Sequence, residues 1–162
     1  MLYLGLMDIV KLFACIIFCL GAGSIGDLFL AGSLDTWYAA LRKPAFNPPS
    51  WVFGPVWTIL YILMGVSVFL VWNKGFGYPG VRIAIILFII QLVLNALWTP
   101  AFFGARSPLL GLIVILLLWL AILATMVTFG RISIISSVIL LPYIMWVSFA
   151  VVLNAALFYL NR

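Results

Sequence analysis

The 162-residue sequence contains no histidine and no glutamate, and its only acids are Asp8, Asp27 and Asp35. No carboxylate therefore follows residue 35. Each absence excludes chemistry. Without imidazole there is neither a histidine-ligated zinc site nor a histidine proton relay, and no glutamate can serve as general base. Carboxylate-driven proton pumping through the later part of the chain, kinase chemistry and the usual hydrolase triads fall with them. No nucleotide-binding motif supports ATP-driven transport, and no GxxxG pair marks a helix-dimer face. No metal site and no cofactor is expected. Charged residues make up only 7% of the chain, against about a quarter in a soluble domain.

What remains is apolar: 68% of residues are hydrophobic and the mean hydropathy is +1.38. A domain this small keeps much of its surface outside any core, so lipid must be its solvent. The net charge of +5 comes from Lys/Arg at positions 11, 42, 43, 74, 82, 106, 131 and 162. Scattered between apolar runs, these read as anchors at membrane ends and not as a nucleic-acid patch. Cys15 and Cys19, four apart, read as two small buried hydrophobes rather than a redox or lipid-attachment site. Lys11 stands where the apolar stretch of a signal peptide would lie. The first apolar segment is therefore expected to be an uncleaved span.

A helix needs about 20 apolar residues to cross a hydrocarbon core of ~30 Å. The uncharged intervals 44–73, 83–105, 107–130 and 132–161 meet that length, and the charges of 1–30 lie near its ends, where side chains can snorkel. The sequence thus predicts one all-α domain over 1–162, with membrane helices at about 6–27, 51–72, 82–103, 108–129 and 133–160. Continuous apolar runs such as Ile83–Leu94 exclude a barrel's alternation. Residues 28–50, rich in aromatics and ending in Pro48-Pro49-Ser50, read as a lid over one end of the bundle, with Ser50 as N-cap of the second helix. Lys/Arg divide four to four between the two membrane faces, which leaves orientation undecided.

Polar side chains within spans face the bundle interior. Gln91, Asn95, Trp98 and Phe102 share one stripe of the third helix; Trp146, Ala150 and Asn154, with Tyr143 alongside, form one on the fifth; Trp57, Tyr61 and Met64 form one on the second. The fourth helix, with Trp119, Thr125 and Thr128, reads as mostly lipid-facing or packing. Convergence of the three stripes beneath the lid would enclose an aromatic-walled cavity for a flat, hydrophobic molecule. The competing reading is an interfacial belt of Trp and Tyr, for which Trp72, Trp119 and Tyr159 are candidates. Pro55, Pro100 and Pro142 can bend their helices and shape such a cavity.

The blocks Trp37-Tyr38, Lys43-Pro44-Ala45-Phe46-Asn47-Pro48-Pro49-Ser50-Trp51-Val52-Phe53-Gly54-Pro55-Val56-Trp57-Thr58 and Tyr61 resemble the signature of the tryptophan-rich sensory protein/translocator protein (TspO/MBR) family, also called peripheral-type benzodiazepine receptors. Leu94–Arg106 resembles its third-helix block, and Pro142-Tyr143, Trp146, Phe149-Ala150 and Leu153-Asn154 its fifth. The resemblance implies a homodimeric five-helix bundle, in a bacterial cell membrane or the mitochondrial outer membrane, that binds porphyrins such as protoporphyrin IX and haem, and drug-like ligands. Carried over by position, the pocket is Tyr38, Pro48, Trp57, Tyr61, Asn95, Trp98, Phe103, Trp146 and Ala150. It also implies an alternative to sensing or translocation, light-dependent porphyrin degradation with Trp57 and Trp146 as the reacting pair. A further rival reading is a structural or regulatory membrane partner whose pocket is incidental. Ala155 stands where animal members carry a tyrosine, which argues against cholesterol as a ligand, although Leu157–Arg162 satisfies the loose cholesterol pattern.

Overall fold

The computed structural model describes residues 5–27 and 34–162. Within them lie five apolar helical spans, each long enough to cross a membrane, and the chain is an all-helical integral membrane protein. Helix α1 covers Leu6–Asp27, α2 Phe53–Trp72, α3 Val81–Thr99 and α4 Pro108–Ile132. The fifth span is divided into α5, Ile134–Ile139, and α6, Leu141–Leu160. In hydrocarbon a helix satisfies its own backbone, so burial in lipid enforces helices while side-chain packing decides how they associate.

Local chemistry sets the ends. Pro55 lies in the first turn of α2, where a missing N–H costs nothing, so it bends no helix. Pro142 is the second residue of α6, and its ring ends the preceding α-helical path at Leu140. The single fifth helix expected from composition is therefore two. Pro100 opens a wide π-helical turn, Pro100–Gly104, whose ladder resumes when the Ala105 N–H donates to the Pro100 carbonyl at 2.8 Å. Ser50 does not cap α2. It begins a 3-10 turn, Ser50–Val52, and no side-chain cap forms, because Pro48 and Pro49 bring the chain in extended and the tighter turn takes up the first carbonyls.

The helices close into a ring in which α2 packs on α1, α1 on α3, α3 on α4 and α4 on α6. The ring is completed mainly through α5 against α2, while the backbones of α6 and α2 stay farther apart and meet through aromatic side chains. The Ser67 hydroxyl donates to the Ser136 carbonyl at 2.7 Å, fastening α2 to α5. The α1–α2 crossing is close because Gly65 faces Ile16: a Cβ at Gly65 would lie 2.6 Å from the Ile16 Cα. Helix α4 is more central than its composition suggests. Gly111, Ile115, Leu118, Ile122, Thr125 and Phe129 are all buried, a spacing of alternating four and three residues that runs one straight seam along the bundle. Trp119 is likewise no belt residue; its indole N–H donates to the Ser148 hydroxyl of α6 at 2.8 Å. Cys15 and Cys19 are buried free thiols.

The charges sit at the ends of the spans. Asp8 and Lys11 lie early in α1 and Asp27 at its end, while Arg131 is in the last turn of α4. Tyr159, exposed near the end of α6, carries the Arg162 guanidinium 4.0 Å above its ring.

A lidded aromatic cavity

Where α2 and α6 separate, the molecule holds a cavity of about 820 Å³. All nine positions expected from the sequence border it: Tyr38, Pro48, Trp57, Tyr61, Asn95, Trp98, Phe103, Trp146 and Ala150. The stripes of α2, α3 and α6 do converge, and Trp57, Tyr61, Trp98, Phe102 and Trp146 are cavity wall rather than interfacial belt.

The wall is built of ring contacts. Trp57 stacks on Tyr61 at 5.6 Å and meets Tyr143 edge-on at 6.3 Å. Trp98 stacks on Phe102 at 5.4 Å, and Trp146 meets Phe53 edge-on at 5.8 Å. Such pairs prefer offset and edge-on geometries because the ring quadrupole repels a direct overlay, and each adds about 0.5–1.5 kcal/mol beyond its area. Beneath the wall runs a hydrogen-bonded chain. The Tyr61 hydroxyl donates to Asn95 Oδ1, Asn95 Nδ2 donates to the Tyr143 oxygen at 2.9 Å, and the Tyr143 hydroxyl donates to Gln91 Oε1 at 2.8 Å. Gln91, Asn95 and Tyr143 are all buried. Three helices are thereby joined through polar atoms that lipid could not satisfy.

The lid descends on the other end. Of residues 28–50, the stretch 28–33 lies outside the described residues; the remainder begins with a π-helical turn, Leu34–Tyr38. Trp37 and Tyr38 pack on Phe102 and Phe103, at 5.5 Å and 5.4 Å for their nearest rings. The Tyr38 hydroxyl donates to Asn47 Oδ1 at 3.1 Å, and burial pushes its phenol above the ordinary value. The Lys43 ammonium lies 4.8 Å over the Tyr38 ring, donates to the Ala39 carbonyl at 3.2 Å and borders the cavity. Asn161 fastens the lid to the end of α6. Its Oδ1 accepts from the Arg42 N–H and its Nδ2 donates to the Arg42 carbonyl, both at 2.9 Å.

Sequence reasoning missed several wall residues. Ile115 and Leu118 of α4 and Leu20 and Gly23 of α1 also border the cavity. Leucines in an apolar helix carry no signal of which face they present. Gly23 has a physical cause: a Cβ there would meet the Tyr61 ring at 2.3 Å. Phe53, Lys43 and Asn154 border it as well. Asn154 lay on the expected fifth-helix stripe, and Phe53 and Lys43 within the second-helix block.

Geometry and fold define a class: a five-span membrane bundle enclosing an aromatic cavity beneath an interhelical lid. The sequence model of the TspO/MBR family matches residues 15–160. The chain is 45% identical over 154 residues to the tryptophan-rich protein TspO of Chlorobaculum tepidum, covering 95% of this chain and 98% of the relative. It is 44% identical to the protein of the same name from Archaeoglobus fulgidus, over 96% and 99% of the two chains. The human translocator protein is 40% identical, over 80% of this chain and 78% of its own. The protein belongs to the TspO/MBR family.

Proposed function

We propose that this protein is a membrane-embedded receptor for porphyrins of the protoporphyrin IX class, acting as a sensor or translocator of its ligand. The observation that carries the reading is the cavity itself: about 820 Å³, walled by Trp57, Trp98 and Trp146 and covered by an aromatic lid. That volume lies toward the upper end of small-molecule sites, which run to about 1,000 Å³, as a flat macrocycle requires. The names of relatives, a tryptophan-rich sensory protein and translocator proteins, support sensing or translocation. Full resemblance along the chains of Chlorobaculum tepidum and Archaeoglobus fulgidus supports placement in a prokaryotic cell membrane, and the family resemblance supports a homodimer.

The test is a titration of the detergent-purified protein with protoporphyrin IX in the dark, following tryptophan fluorescence. Saturable quenching, weakened at least several-fold in Trp98→Ala, is the expected outcome; quenching that never saturates overturns the proposal.

A second reading, light-dependent porphyrin degradation, is favoured by one observation: Trp57 and Trp146 both border the cavity, so a ligand there would touch two indoles. Illumination of the same sample decides. Porphyrin absorbance that falls in wild type but holds in Trp57→Phe/Trp146→Phe, with dark binding kept, supports an enzyme. Absorbance that is stable in both leaves a receptor.

A further inference from the structure

Most interior amides of the protein have a task. Asn95 and Gln91 hold Tyr61 and Tyr143, and Asn47 holds Tyr38. Asn154 is different. It is 1% exposed, it borders the cavity, and neither Nδ2 nor Oδ1 has a hydrogen-bond partner among the described residues. Its position on α6 is two turns nearer the lid than Trp146, about 12 Å along the axis at 1.5 Å per residue. The flanking Leu153 and Leu157 pack with Phe102 and Phe103, so the surroundings are apolar. An unpaired carboxamide in such a place forfeits one donor and one acceptor together. A polar side chain within a span serves either to join helices or to meet a ligand, and among the described residues Asn154 hydrogen-bonds to no other helix.

We infer that Asn154 is a specificity-determining residue that selects ligands presenting a neutral donor beside an acceptor, the edge of a lactam. This rests on the cavity being the ligand site proposed above. A primary carboxamide carries C=O and N–H on one edge, and a lactam offers the complementary pair at the same spacing, so two hydrogen bonds close at once. A carboxylate would set negative charge against Oδ1, and a carboxylic acid would have to stay protonated. The lactam needs neither. Asn154 borders the cavity while both its amide atoms are buried, so pairing takes a turn of the side chain, which the broad terminal torsion of asparagine permits.

The experiment uses two flat three-ring probes, phenanthridin-6(5H)-one and its N-methyl derivative, which differ at the lactam N–H. Each is titrated into the purified full chain, following tryptophan quenching. Wild type is expected to bind the N–H lactam about ten-fold more tightly. Asn154→Leu is expected to erase that preference while raising the unfolding temperature of the protein without probe, because an apolar side chain of similar size carries no unmet amide. A purely structural asparagine would give the reverse: lower stability and equal loss for both probes. Equal affinities in wild type, or a preference that survives in Asn154→Leu, overturns the inference, and the wild-type comparison stands whether or not the variant folds. Protein that binds protoporphyrin IX and neither probe overturns this inference alone. Protein that prefers the N–H lactam yet ignores protoporphyrin IX overturns the porphyrin reading alone, and protein that binds none of them overturns both.

Discussion

At the scale of single residues, the polar atoms under the cavity matter more than their number suggests. Asn95 both accepts from Tyr61 and donates to Tyr143, so Asn95→Leu removes one hydrogen bond from each of two phenols, while Tyr143 keeps its bond to Gln91. Unsatisfied buried groups cost about 1–3 kcal/mol each in water-soluble proteins, but hydrogen bonds between membrane helices average only about 0.6 kcal/mol. A loss of about 1 kcal/mol is expected, measured by thermal unfolding in detergent. Lys43 acts differently, as a cation at the cavity rim. Lys43→Met should weaken protoporphyrin IX by about two- to five-fold, the scale of an exposed ion pair, and leave its dimethyl ester unchanged; equal losses would mean that Lys43 reads no carboxylate. The Tyr38 phenol, pushed up by burial, keeps its bond to Asn47 while protonated. An acid raised in the folded lid favours lid docking at low pH, and this contribution fades as pH climbs past the ordinary tyrosine value of about 10. Ligand release should therefore be level from pH 6 to 9 and quicken above about 10, and Tyr38→Phe should abolish the step.

At the scale of elements, glycine and proline did the positioning. A Cβ on Gly65 would strike Ile16 backbone at 2.6 Å, whereas one on Gly54 meets nothing within 4 Å. Gly65→Ala should thus cost about 1–3 kcal/mol through forced separation of α1 and α2. Gly54→Ala, in the first turn of α2, should be neutral or slightly stabilising. Unfolding midpoints of the two variants check this directly, and similar values would mean that the crossing is loose. The five spans were legible in the sequence because hydrophobic length and charge spacing alone determine them. The break at Leu140 was not placed, since Pro142 fits equally a bend within one helix and a start of another. The role of α4 was hidden for a related reason: in a helix that is apolar all round, the buried seam from Gly111 to Phe129 looks like the lipid-facing side.

At the scale of the whole molecule, much of the cavity wall could be read because aromatics and amides are conspicuous in lipid and their stripes at helical spacing meet at the cavity, while Tyr38, Pro48 and Phe103 came from the family resemblance. What spacing could not supply was the way the lid is held. Asn161 grips the Arg42 backbone from both sides, so lid and last helix move as one. Asn161→Ala should raise both association and dissociation rates of protoporphyrin IX severalfold with little change in their ratio, seen by stopped-flow quenching; a change in dissociation alone would point to a direct ligand contact.

The placement of charge at the ends of the spans has an electrical consequence. A charge that crosses the membrane field does work of about 2.3 kcal/mol per 100 mV. Among the described residues no ionised side chain stands midway along a span, so reshaping the aromatic wall displaces almost no charge of the protein's own. The wall has no lever for transmembrane voltage to pull. Any dependence of occupancy on membrane potential would then report the charge of the ligand, and a neutral ligand should bind equally well in polarised and depolarised vesicles.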